Sequence, residues 1–469
     1  MPNADTIVAD TIVAVATPPG KGGISIVRLS GRGVPMLCAA LTGALPPPRH
    51  AALCDFRDRD GIAIDRGIAL YFAAPRSYTG EHALELHGHG SPVVMRMLVR
   101  RCVELGARLA RPGEFSERAF LNGRLDLTQA EAVADLIESS TESAARSAMQ
   151  SLQGGFSEKV NQLADAVIQL RIFVEAALDF PDEEIDFLAD GKVVEQLENL
   201  SLLFRSLREL VKQGRLLRDG LKVVLTGLPN AGKSSLLNAL SQQDRAIVSA
   251  IPGTTRDVLD QVIDIDGLPI EVIDTAGIRE TTNEIEAEGV RRALQAQQQA
   301  DLIILVVDDT NTDDVQAAAL LETLVGGPHQ SVPVLLVRNK IDLTQRRASS
   351  SGNAAAKNQT PENETPENQI CISALTGEGL RALTEKIKRI AGFRQTDDSP
   401  FLARERHVDA LQRAEDYLHS GLEQQSNYRA GELLADDLAA CQKALGEITG
   451  EVTSDDLLGM IFRSFCIGK

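Results

Sequence analysis

The octapeptide Gly227-Leu-Pro-Asn-Ala-Gly-Lys-Ser234 has the form G-x-x-x-x-G-K-[ST], which is typical of a phosphate-binding loop. An apolar run at residues 223–225 precedes it, and a helical pattern at residues 235–240 follows it. The glycines let backbone N–H groups surround phosphate oxygens at the positive end of a helix dipole. Lys233 is expected to reach the β- and γ-phosphates, and the Ser234 hydroxyl to bind Mg²⁺. The stretch therefore predicts a P-loop domain of the α/β class.

Four further motifs follow this loop in the order that guanine-nucleotide hydrolases share. They are Gly253-Thr-Thr255, Asp274-Thr-Ala-Gly277, Asn339-Lys-Ile-Asp342 and Ser373-Ala-Leu375. Each lies at the carboxyl end of a predicted strand, where open α/β sheets bind ligands. One such motif is often an ordinary turn, but five in order predict a GTP-binding domain that uses Mg²⁺.

The residue types of these motifs suggest what each one contributes. Thr255 is expected to offer a hydroxyl to the same Mg²⁺. Asp274 is expected to contact the direct ligands of the metal rather than the metal itself. Gly277 can donate its backbone N–H to the γ-phosphate. The Asp342 carboxylate accepts two hydrogen bonds, which matches the N1–H and 2-amino donors of guanine and disfavours adenine. Ser373 begins a stretch that can supply a backbone N–H to guanine O6.

Length and composition limit the broad class of the protein. The 469 residues indicate about three domains, and the 43% hydrophobic content is enough for globular cores. The formal net charge of −18 argues against a broad nucleic-acid-binding face, although a local basic site or a nucleic-acid-carrying partner is compatible with it. The cysteines form no C-x-x-C pair, so neither a zinc site nor a disulfide framework is indicated. Without a basic leader or a long apolar run, we expect a cytoplasmic protein that does not enter the membrane.

Changes of composition along the chain predict four segments, which are residues 1–123, 124–218, 219–391 and 392–469. The first combines predicted strands at 6–9, 11–16, 24–29 and 68–72 with a predicted helix at 92–105. Helical periodicity marks the second and fourth segments, and we expect one helical domain with the nucleotide domain inserted into it. Residues 345–369 are rich in Ser, Asn, Pro and Glu, which predicts a disordered loop.

The chain resembles the tRNA-modification GTPase MnmE (TrmE) family over nearly its whole length. The strings that carry the resemblance include Ala16-Thr-Pro-Pro-Gly20, Arg111-Pro-Gly-Glu-Phe-Ser-Glu-Arg-Ala-Phe120, Leu178-Asp-Phe-Pro-Asp-Glu-Glu-Ile-Asp186, residues 225–238 and the final Cys466-Ile-Gly-Lys469. The resemblance implies a multidomain α/β plus α fold. Its parts would be an N-terminal α/β folate-binding-like domain, a helical domain split in sequence and an inserted Ras-like P-loop G domain.

The resemblance also implies partners and a reaction. The family forms a homodimer and a heterotetramer with the FAD-dependent protein MnmG (GidA), and tRNA is bound through that complex. Together the two proteins modify C5 of the wobble uridine of certain tRNAs, with a carbon that comes from tetrahydrofolate. GTP, Mg²⁺, K⁺ and 5-formyl- or methylene-tetrahydrofolate are therefore the expected cofactors.

Position 278 has a consequence for catalysis. Ile278 stands where many GTPases have a water-positioning glutamine, and isoleucine can neither orient water nor stabilise charge. The side-chain oxygen of Asn230 can bind a monovalent cation beside the phosphates, although Asn230 is equally a turn residue. The resemblance implies that this cation is K⁺ and that Glu286 orients water, whereas the residues alone favour a solvated helix face for Glu286. The other K⁺ ligands implied by the family are Ser249, Ile251 and Thr254.

The complete GTP site is expected to include both loops and the switch segment between them. Its residues are Asn230, Ala231, Gly232, Lys233, Ser234, Ser235, Ser249, Ala250, Ile251, Pro252, Gly253, Thr254, Thr255, Asp274, Thr275, Ala276, Gly277, Asn339, Lys340, Asp342, Ser373 and Ala374. Ser234 and Thr255 are the expected Mg²⁺ ligands. Glu286 and Lys233 are the expected catalytic residues.

A second site, for folate, follows from the resemblance alone. Its residues are Arg28, Glu85, Arg124 and Lys469. A glutamate can bind the guanine-like donor edge of a pterin, and the anionic tail of a folate requires cations. Arg124 stands where the family often has lysine, which changes the hydrogen-bond geometry.

Three further side chains are associated with this second site. Cys466 is either a small buried apolar residue or a catalytic thiol beside the one-carbon unit. His87 and His89 are expected to be loop histidines near the pocket, because no third and fourth metal ligand is visible.

Two other functions are compatible with the same motifs. A regulatory switch GTPase in ribosome assembly would share all five, but it is expected to add a basic RNA-binding module with a G-x-x-G loop. This chain is acidic instead. The other alternative is a folate-dependent transferase in which GTP is only regulatory. Analysis of wobble uridine in tRNA from a deletion strain separates these functions from tRNA modification.

Overall fold

The structure is a computed structural model that describes residues 10–179, 192–243, 261–274, 299–324, 332–344, 346–349, 368–394, 401–428, 431–452, 455–463, 465–466 and 468. Unit 1 comprises Met1–Ala134, Ser151–Leu203 and Ala410–Lys469, and unit 2 comprises Asp135–Gln150 and Phe204–Asp409. The chain has the multidomain α/β plus α architecture expected from the sequence, while the four predicted segment boundaries stay predictions. Among the described helices, none is both long and apolar enough to cross a membrane.

Unit 1 contains a six-stranded sheet. Its strands are β1 (Ile12–Val15), β2 (Gly22–Ser30), β3 (Ala51–Arg57), β4 (Ala63–Phe72), β5 (Ala83–Gly90) and β6 (Arg108–Leu109), in the order β3-β4-β5-β2-β1-β6. Neighbouring strands are antiparallel, except that β1 and β6 are parallel. The strands predicted at 11–16, 24–29 and 68–72 are confirmed, and the one at 6–9 lies outside the described residues.

The helices follow in chain order. They are α1 (Val34–Thr42), α2 (Pro92–Glu104), α3 (Glu114–Leu121), α4 (Leu127–Glu138), α5 (Glu142–Leu152), α6 (Gly155–Asp179), α7 (Lys192–Asp219), α8 (Lys233–Gln243), α9 (Asp314–Leu324), α10 (Leu380–Ala391), α11 (Glu405–Tyr428), α12 (Gly431–Thr449) and α13 (Asp455–Arg463). The helix predicted at 92–105 is confirmed as α2, with Pro92 in its first turn.

Alternation of side chains decides which face of the unit 1 sheet is covered. Helices α1 and α2 pack on the face that carries Val27, Leu84 and Leu86. Residues of opposite parity, such as Arg28 and Glu85, therefore lie on the other face, because successive side chains of a strand point to opposite sides. That face positions the second functional site.

The long helices of unit 1 bury the stripe predicted from their periodicity. On α6 the positions Val160, Leu163, Val167, Leu170 and Val174 are all buried. Helix α6 packs along α12, and the Arg171 guanidinium donates to the Gln442 side-chain oxygen at 2.7 Å. The two helices belong to sequence segments more than 250 residues apart in the chain, so the helical part of unit 1 is assembled from both sides of the nucleotide domain.

Unit 2 contains a mainly parallel sheet. Its strands are β7 (Leu221–Thr226), β8 (Gln261–Ile265), β9 (Leu268–Asp274), β10 (Leu302–Asp308), β11 (Val334–Asn339) and β12 (Gln369–Cys371), in the order β12-β11-β10-β7-β9-β8. Only the hairpin pair β8 and β9, joined at Asp266 and Gly267, is antiparallel among the pairs described. Strand β10 lies between β7 and β11, although the sequence motifs did not point to it.

The segment 345–369, predicted to be a disordered loop, falls largely outside the described residues. At its first end, the Ser349 hydroxyl accepts a hydrogen bond from the Cys371 N–H at 3.0 Å. At its other end, Gln369 is the first residue of β12 and is buried. Both ends of the predicted loop are therefore attached to the last strand of the sheet.

The two chain segments that enter and leave the nucleotide-binding fold are tied together within unit 2. Asp135 accepts hydrogen bonds from Arg218, ahead of β7, at 3.0 Å and from Arg404, beyond α10, at 2.7 Å. A Cβ at Gly214 would lie 2.1 Å from the Phe401 carbonyl oxygen, so only glycine permits this approach. The carboxylate and the close approach hold the entering and leaving segments side by side.

A buried ion cluster holds α3 against the start of β1. The side chain of Arg118 is 2% exposed and donates to Glu114 at 3.1 Å, to Glu81 at 3.0 Å and to Asp10 at 2.7 Å. Arg108 donates to Glu114 at 2.5 Å and also to Asp10. Since removal of one partner would leave a buried charge unpaired, the cluster makes the position of α3 sensitive to each member.

The Glu114 carboxyl carries a testable pH dependence. Burial alone would raise its pKa, but the hydrogen bonds from Arg108 and the Arg111 N–H outweigh burial and lower the pKa from 4.5 to about 2. A depressed pKa stabilises the fold above pH 4.5, and this contribution is lost as the pH falls towards 2. The shift corresponds to about 3 kcal/mol. We therefore expect Glu114→Gln to be several kcal/mol less stable than the parent at pH 6, with a gap that narrows towards pH 2.

Chemical denaturation at a series of pH values measures this gap. Glu104→Gln, which changes a half-exposed carboxylate on α2, is the matched control and should show little pH-dependent difference. A Glu114→Gln gap that stays constant from pH 6 to pH 2 would contradict the assignment.

Candidate functional site

The phosphate-binding loop joins β7 to α8 at the carboxyl edge of the unit 2 sheet. Asn230 has a φ of 64° and Gly232 a φ of 92°, both in the left-handed region. A Cβ at Gly227 would lie 2.2 Å from the Val306 carbonyl oxygen, so the loop crosses β10 too closely for any side chain. The sheet beneath the loop therefore demands this glycine independently of phosphate binding.

The first residues of α8 provide groups that suit a polyphosphate with its metal. The Lys233 ammonium donates to the carbonyl oxygens of Gly227 at 3.0 Å and Leu228 at 3.1 Å, so it lies over the loop that it closes. Ser234 and Ser235 follow at the exposed start of the helix. An ammonium, a hydroxyl and the N–H groups of a helix N-terminus fit a Mg²⁺-bound nucleotide.

The amide of Asn339 joins the phosphate loop to the two base-reading motifs. Its Nδ2 donates to the Ala231 carbonyl at 3.1 Å, and its Oδ1 accepts from the Ala374 N–H at 3.0 Å. A Cβ at Gly232 would lie 2.3 Å from Nδ2 of Asn339, so this bridge requires glycine at that position. Asn339 thus positions two loops rather than one.

The Asp342 carboxylate is oriented by a neighbouring hydroxyl. Ser373 is buried, and its Oγ donates to Oδ1 of Asp342 at 2.6 Å while accepting from the Thr376 N–H at 3.1 Å. This leaves carboxylate lone pairs for the two donors of guanine. The sequence motif suggested a backbone N–H from this stretch. Here the Ser373 N–H is donated to the Glu378 carbonyl at 2.9 Å, and the hydroxyl of Ser373 has a positioning role that the motif did not reveal.

Several predicted site residues lie outside the described part of the chain. Asp274 ends β9, and only its backbone is described. The remaining ones are Ser249, Ala250, Ile251, Pro252, Gly253, Thr254, Thr255, Thr275, Ala276, Gly277, Glu286 and Lys469. The roles proposed for them stay predictions.

The second predicted site is partly assembled on the face of the unit 1 sheet that α1 and α2 do not cover, which is called the open face below. Arg28 on β2 donates to Oε1 of Glu85 on the paired strand β5 at 2.9 Å, and its guanidinium lies 5.9 Å from the ring centroids of Tyr78 and Phe115. These neighbours bring a carboxylate, a cation and aromatic surface together. The side chain of Arg124 is exposed and its aliphatic part lies against Gly80.

The C-terminal tail reaches the same face. Nη1 of Arg28 donates to the Gly468 carbonyl at 3.5 Å, and the Cys466 carbonyl accepts from the Gly113 N–H at 3.4 Å. A Cβ at Gly468, whose φ is 97°, would lie 2.4 Å from the Val15 carbonyl oxygen. The tail therefore lies directly on β1, and only glycine allows that approach.

The buried alternative for Cys466 is wrong. Its side chain is exposed, because the apolar contacts of this turn are made by Phe462 and Phe465, which are buried. Phe465 packs on Gly113, whose own Cβ would lie 3.0 Å from Cβ of Phe465. An exposed thiol is compatible with the other alternative, a catalytic residue.

The two histidines are strand residues, so their prediction as loop residues is wrong. Both lie on β5, where period-two alternation in Leu86-His-Gly-His-Gly90 was the signal for a strand. Nε2 of His87 lies 3.1 Å from Oε2 of Glu85, and Nδ1 of His89 lies 2.8 Å from Oδ1 of Asp65. The two oxygens of the Glu85 carboxylate therefore contact different side chains, Oε1 contacting Arg28 and Oε2 contacting His87. In the described residues, no group of three or more His, Cys, Asp or Glu is arranged to hold a metal ion.

Comparison with known proteins covers nearly the whole chain. Residues 127–466 match the family described as MnmE helical domain, and residues 11–124 match the family described as GTP-binding protein TrmE N-terminus. The tRNA modification GTPase MnmE of Marinobacter nauticus is 52% identical over 98% of this chain and 99% of its own length. The protein of the same name from Stutzerimonas stutzeri is 53% identical over the same shares. Among solved structures, the G domain of the T. maritima FeoB iron transporter is 30% identical over 36% of this chain and 98% of its own, with a TM-score of 0.25.

Base choice is testable at Asp342. In Asp342→Asn, an amide donor replaces one carboxylate oxygen and meets the 2-amino group of guanine donor to donor. We expect GTP binding to weaken by at least about 100-fold, because unpaired polar groups discriminate strongly. Xanthosine triphosphate should bind better than GTP, because its 2-oxo group accepts a hydrogen bond from the amide that this variant introduces. Titration with fluorescent nucleotide analogues measures both affinities.

The parent chain and a matched variant complete the experiment. Asp301→Asn, which changes a carboxylate before β10 at the opposite end of the sheet, should keep the preference for GTP. Equal affinity of the parent for ATP and GTP, or an unchanged preference in Asp342→Asn, would remove the basis of the assignment.

Proposed function

We propose that this chain, which belongs to the MnmE (TrmE) family of tRNA modification GTPases, couples K⁺-stimulated GTP hydrolysis to a folate-dependent modification of wobble uridine. It is a GTPase that acts in tRNA modification. GTP and Mg²⁺ are its nucleotide and metal. The cation, the carbon source and the partners are the proposed part.

The cation proposal begins from a missing residue. Ile278 supplies neither charge nor a water contact, so hydrolysis requires another source of positive charge near the phosphates. Asn230 lies in the phosphate loop with a left-handed backbone, and its side chain is an oxygen donor suited to a monovalent cation. We propose K⁺ there, with Ser249, Ile251 and Thr254 as further ligands and Glu286 orienting the attacking water.

The folate proposal is supported by the contact between Arg28 and the tail. Arg28 and Glu85 are paired but only part-buried, so both remain accessible to a ligand. A carboxylate beside a cation fits the donor edge of a pterin and the anionic end of a folate. The hydrogen bond from Arg28 to the Gly468 carbonyl brings the described end of the tail to the same face. We propose that Lys469 belongs to the same site. Arg124 completes the proposed set.

The partners are proposed from the same surfaces. The open face of the unit 1 sheet carries Leu53, which is 68% exposed, directly opposite Ile68, which is 40% exposed. Exposed apolar side chains on one sheet face suit a second copy of the chain, which supports a homodimer. The net charge of −18 disfavours direct binding of tRNA over a broad face, so we propose that an FAD-dependent partner, MnmG (GidA), contributes to tRNA binding in the cytoplasm.

The alternative of a ribosome-assembly switch makes a different prediction for the tail. Such a protein would need no thiol or folate site for its function. The tail contacts on β1 and Arg28 involve no residue of the five nucleotide-binding motifs, which favours the modification chemistry over the switch.

Cation dependence tests the first part of the proposal. GTP hydrolysis should be at least 10-fold faster in K⁺ than in Na⁺ at equal ionic strength, because a set of fixed oxygen ligands selects an ion by size. Asn230→Ala should abolish this difference while GDP affinity changes little. Asn238→Ala, an exposed residue of α8, is the matched control and should retain K⁺ stimulation. Phosphate release measures the rate of hydrolysis. Equal rates in K⁺ and Na⁺ would refute the cation proposal.

Glycine substitutions test the second part. Gly468→Ala places a Cβ 2.4 Å from the Val15 carbonyl oxygen and should displace the tail, so modified wobble uridine in cellular tRNA should fall sharply. Gly459→Ala, where a Cβ has no neighbour within 4 Å, should leave modification intact. GTP hydrolysis should be unchanged in both variants. Nucleoside analysis by mass spectrometry gives the readout, and normal modification in Gly468→Ala would refute a role for the docked tail.

A further inference from the structure

A buried charge cluster lies directly behind the guanine-reading loop of unit 2. Arg338 precedes Asn339 on β11, and its side chain is 0% exposed. Its guanidinium donates to Oδ1 of Asp309 at 3.1 Å, to the Thr312 carbonyl at 2.8 Å and to Oδ1 of Asp314 at 2.5 Å. A charge this deeply buried is costly unless it is well paired, so its position at the start of the loop requires an explanation.

Asp309 connects the two ends of that loop. Its side chain is 1% exposed; Oδ1 faces Arg338, and Oδ2 accepts from the Thr344 hydroxyl at 2.7 Å. Its own N–H donates to the Asn339 carbonyl at 3.0 Å. Arg338 stands one residue before Asn339, and Thr344 stands two residues after Asp342. One buried carboxylate therefore holds the loop at its beginning and at its end.

A parallel contact fixes the middle of the loop. Lys340 has a left-handed backbone with a φ of 67°, and its ammonium lies 2.6 Å from Oδ2 of Asp308 at the end of β10. Arg346, just past the loop, lies 2.9 Å from Oδ1 of Asp309. Residues at the start, in the middle and just after the loop therefore contact Asp308 or Asp309 at the end of β10. The Asp342 carboxylate instead accepts a hydrogen bond from Ser373.

We propose that Asp309, Arg338 and Thr344 are positioning residues for guanine selection, which act by holding the Asp342 loop in register with the base. None of the three belongs to a nucleotide-binding motif. A carboxylate that accepts two hydrogen bonds from a planar base must have a fixed orientation, and a loop held only by its backbone does not provide one.

Thr344→Val is the sharpest single test, since it keeps the shape of the side chain and removes only the hydroxyl. The affinity for GDP should fall roughly 10-fold, which is typical for loss of a hydrogen bond to a charged group. The preference for GDP over inosine diphosphate, which lacks the 2-amino group, should shrink as well. KM for GTP should rise while kcat at saturating GTP is retained, because the γ-phosphate chemistry lies elsewhere.

Thr384→Val is the matched control. Thr384 is buried in α10 of the same unit, and its hydroxyl donates to the Arg381 carbonyl at 3.0 Å. Its loss should leave both the GDP affinity and the base preference unchanged. If Thr344→Val behaves like this control, the positioning role is refuted.

A paired substitution guards against loss of folding. In Asp309→Leu with Arg338→Met, apolar side chains of similar size replace both charges, which usually preserves stability. We expect a melting temperature near that of the parent together with weaker GDP binding and a reduced preference over inosine diphosphate. A stable double variant with parental affinity and preference would overturn the proposal, as would a reduced kcat with unchanged KM.

Discussion

The bridge from the Asn339 amide to the Ala231 carbonyl and the Ala374 N–H is the contact on which the nucleotide site depends. Strand β10 separates β7 from β11, so the phosphate loop and the guanine loop start from strands that are not neighbours. The amide spans that gap only because Gly232 has no side chain. This contact links the phosphate-binding and base-binding loops, which must hold the two ends of one nucleotide at the same time.

Glycines also permit close contacts in unit 1. The tail lies on β1 where Gly468 permits it, and the turn before α3 receives Phe462 and Phe465 where Gly113 permits it. Behind this turn, Arg118 and Glu114 are almost fully buried and neutralise one another. The buried ion pair holds α3, which begins at Glu114, beside the tail contact at Gly113. An exposed Cys466 at the end of such a tail is held close to the open face of the sheet without being packed into the core.

The two sites suggest how an acidic protein takes part in tRNA chemistry. Both the guanine loop and the open sheet face contain paired charges, such as Arg338 with Asp309 and Arg28 with Glu85. Paired cations are not available to neutralise a polyanion over a wide area. A small ligand with a few donors, such as guanine, matches paired charges much better than an RNA backbone does.

The sequence by itself determined the identity of the GTP site, the split helical part and the positions of β1, β2 and β4 in unit 1, whereas β3, β5 and β6 were not predicted. Motif spacing and apolar periodicity are local properties of the chain, so Lys233, Asn339, Asp342 and the α6 stripe could be found without a structure. Only the tertiary structure decided the contacts between distant segments. The Ser373 hydroxyl on Asp342, Asp309 behind the guanine loop and Gly468 on β1 join residues 31 to more than 400 positions apart. No periodicity or motif encodes such pairs, because they depend on how strands are ordered in the sheet and on how closely two backbones can approach.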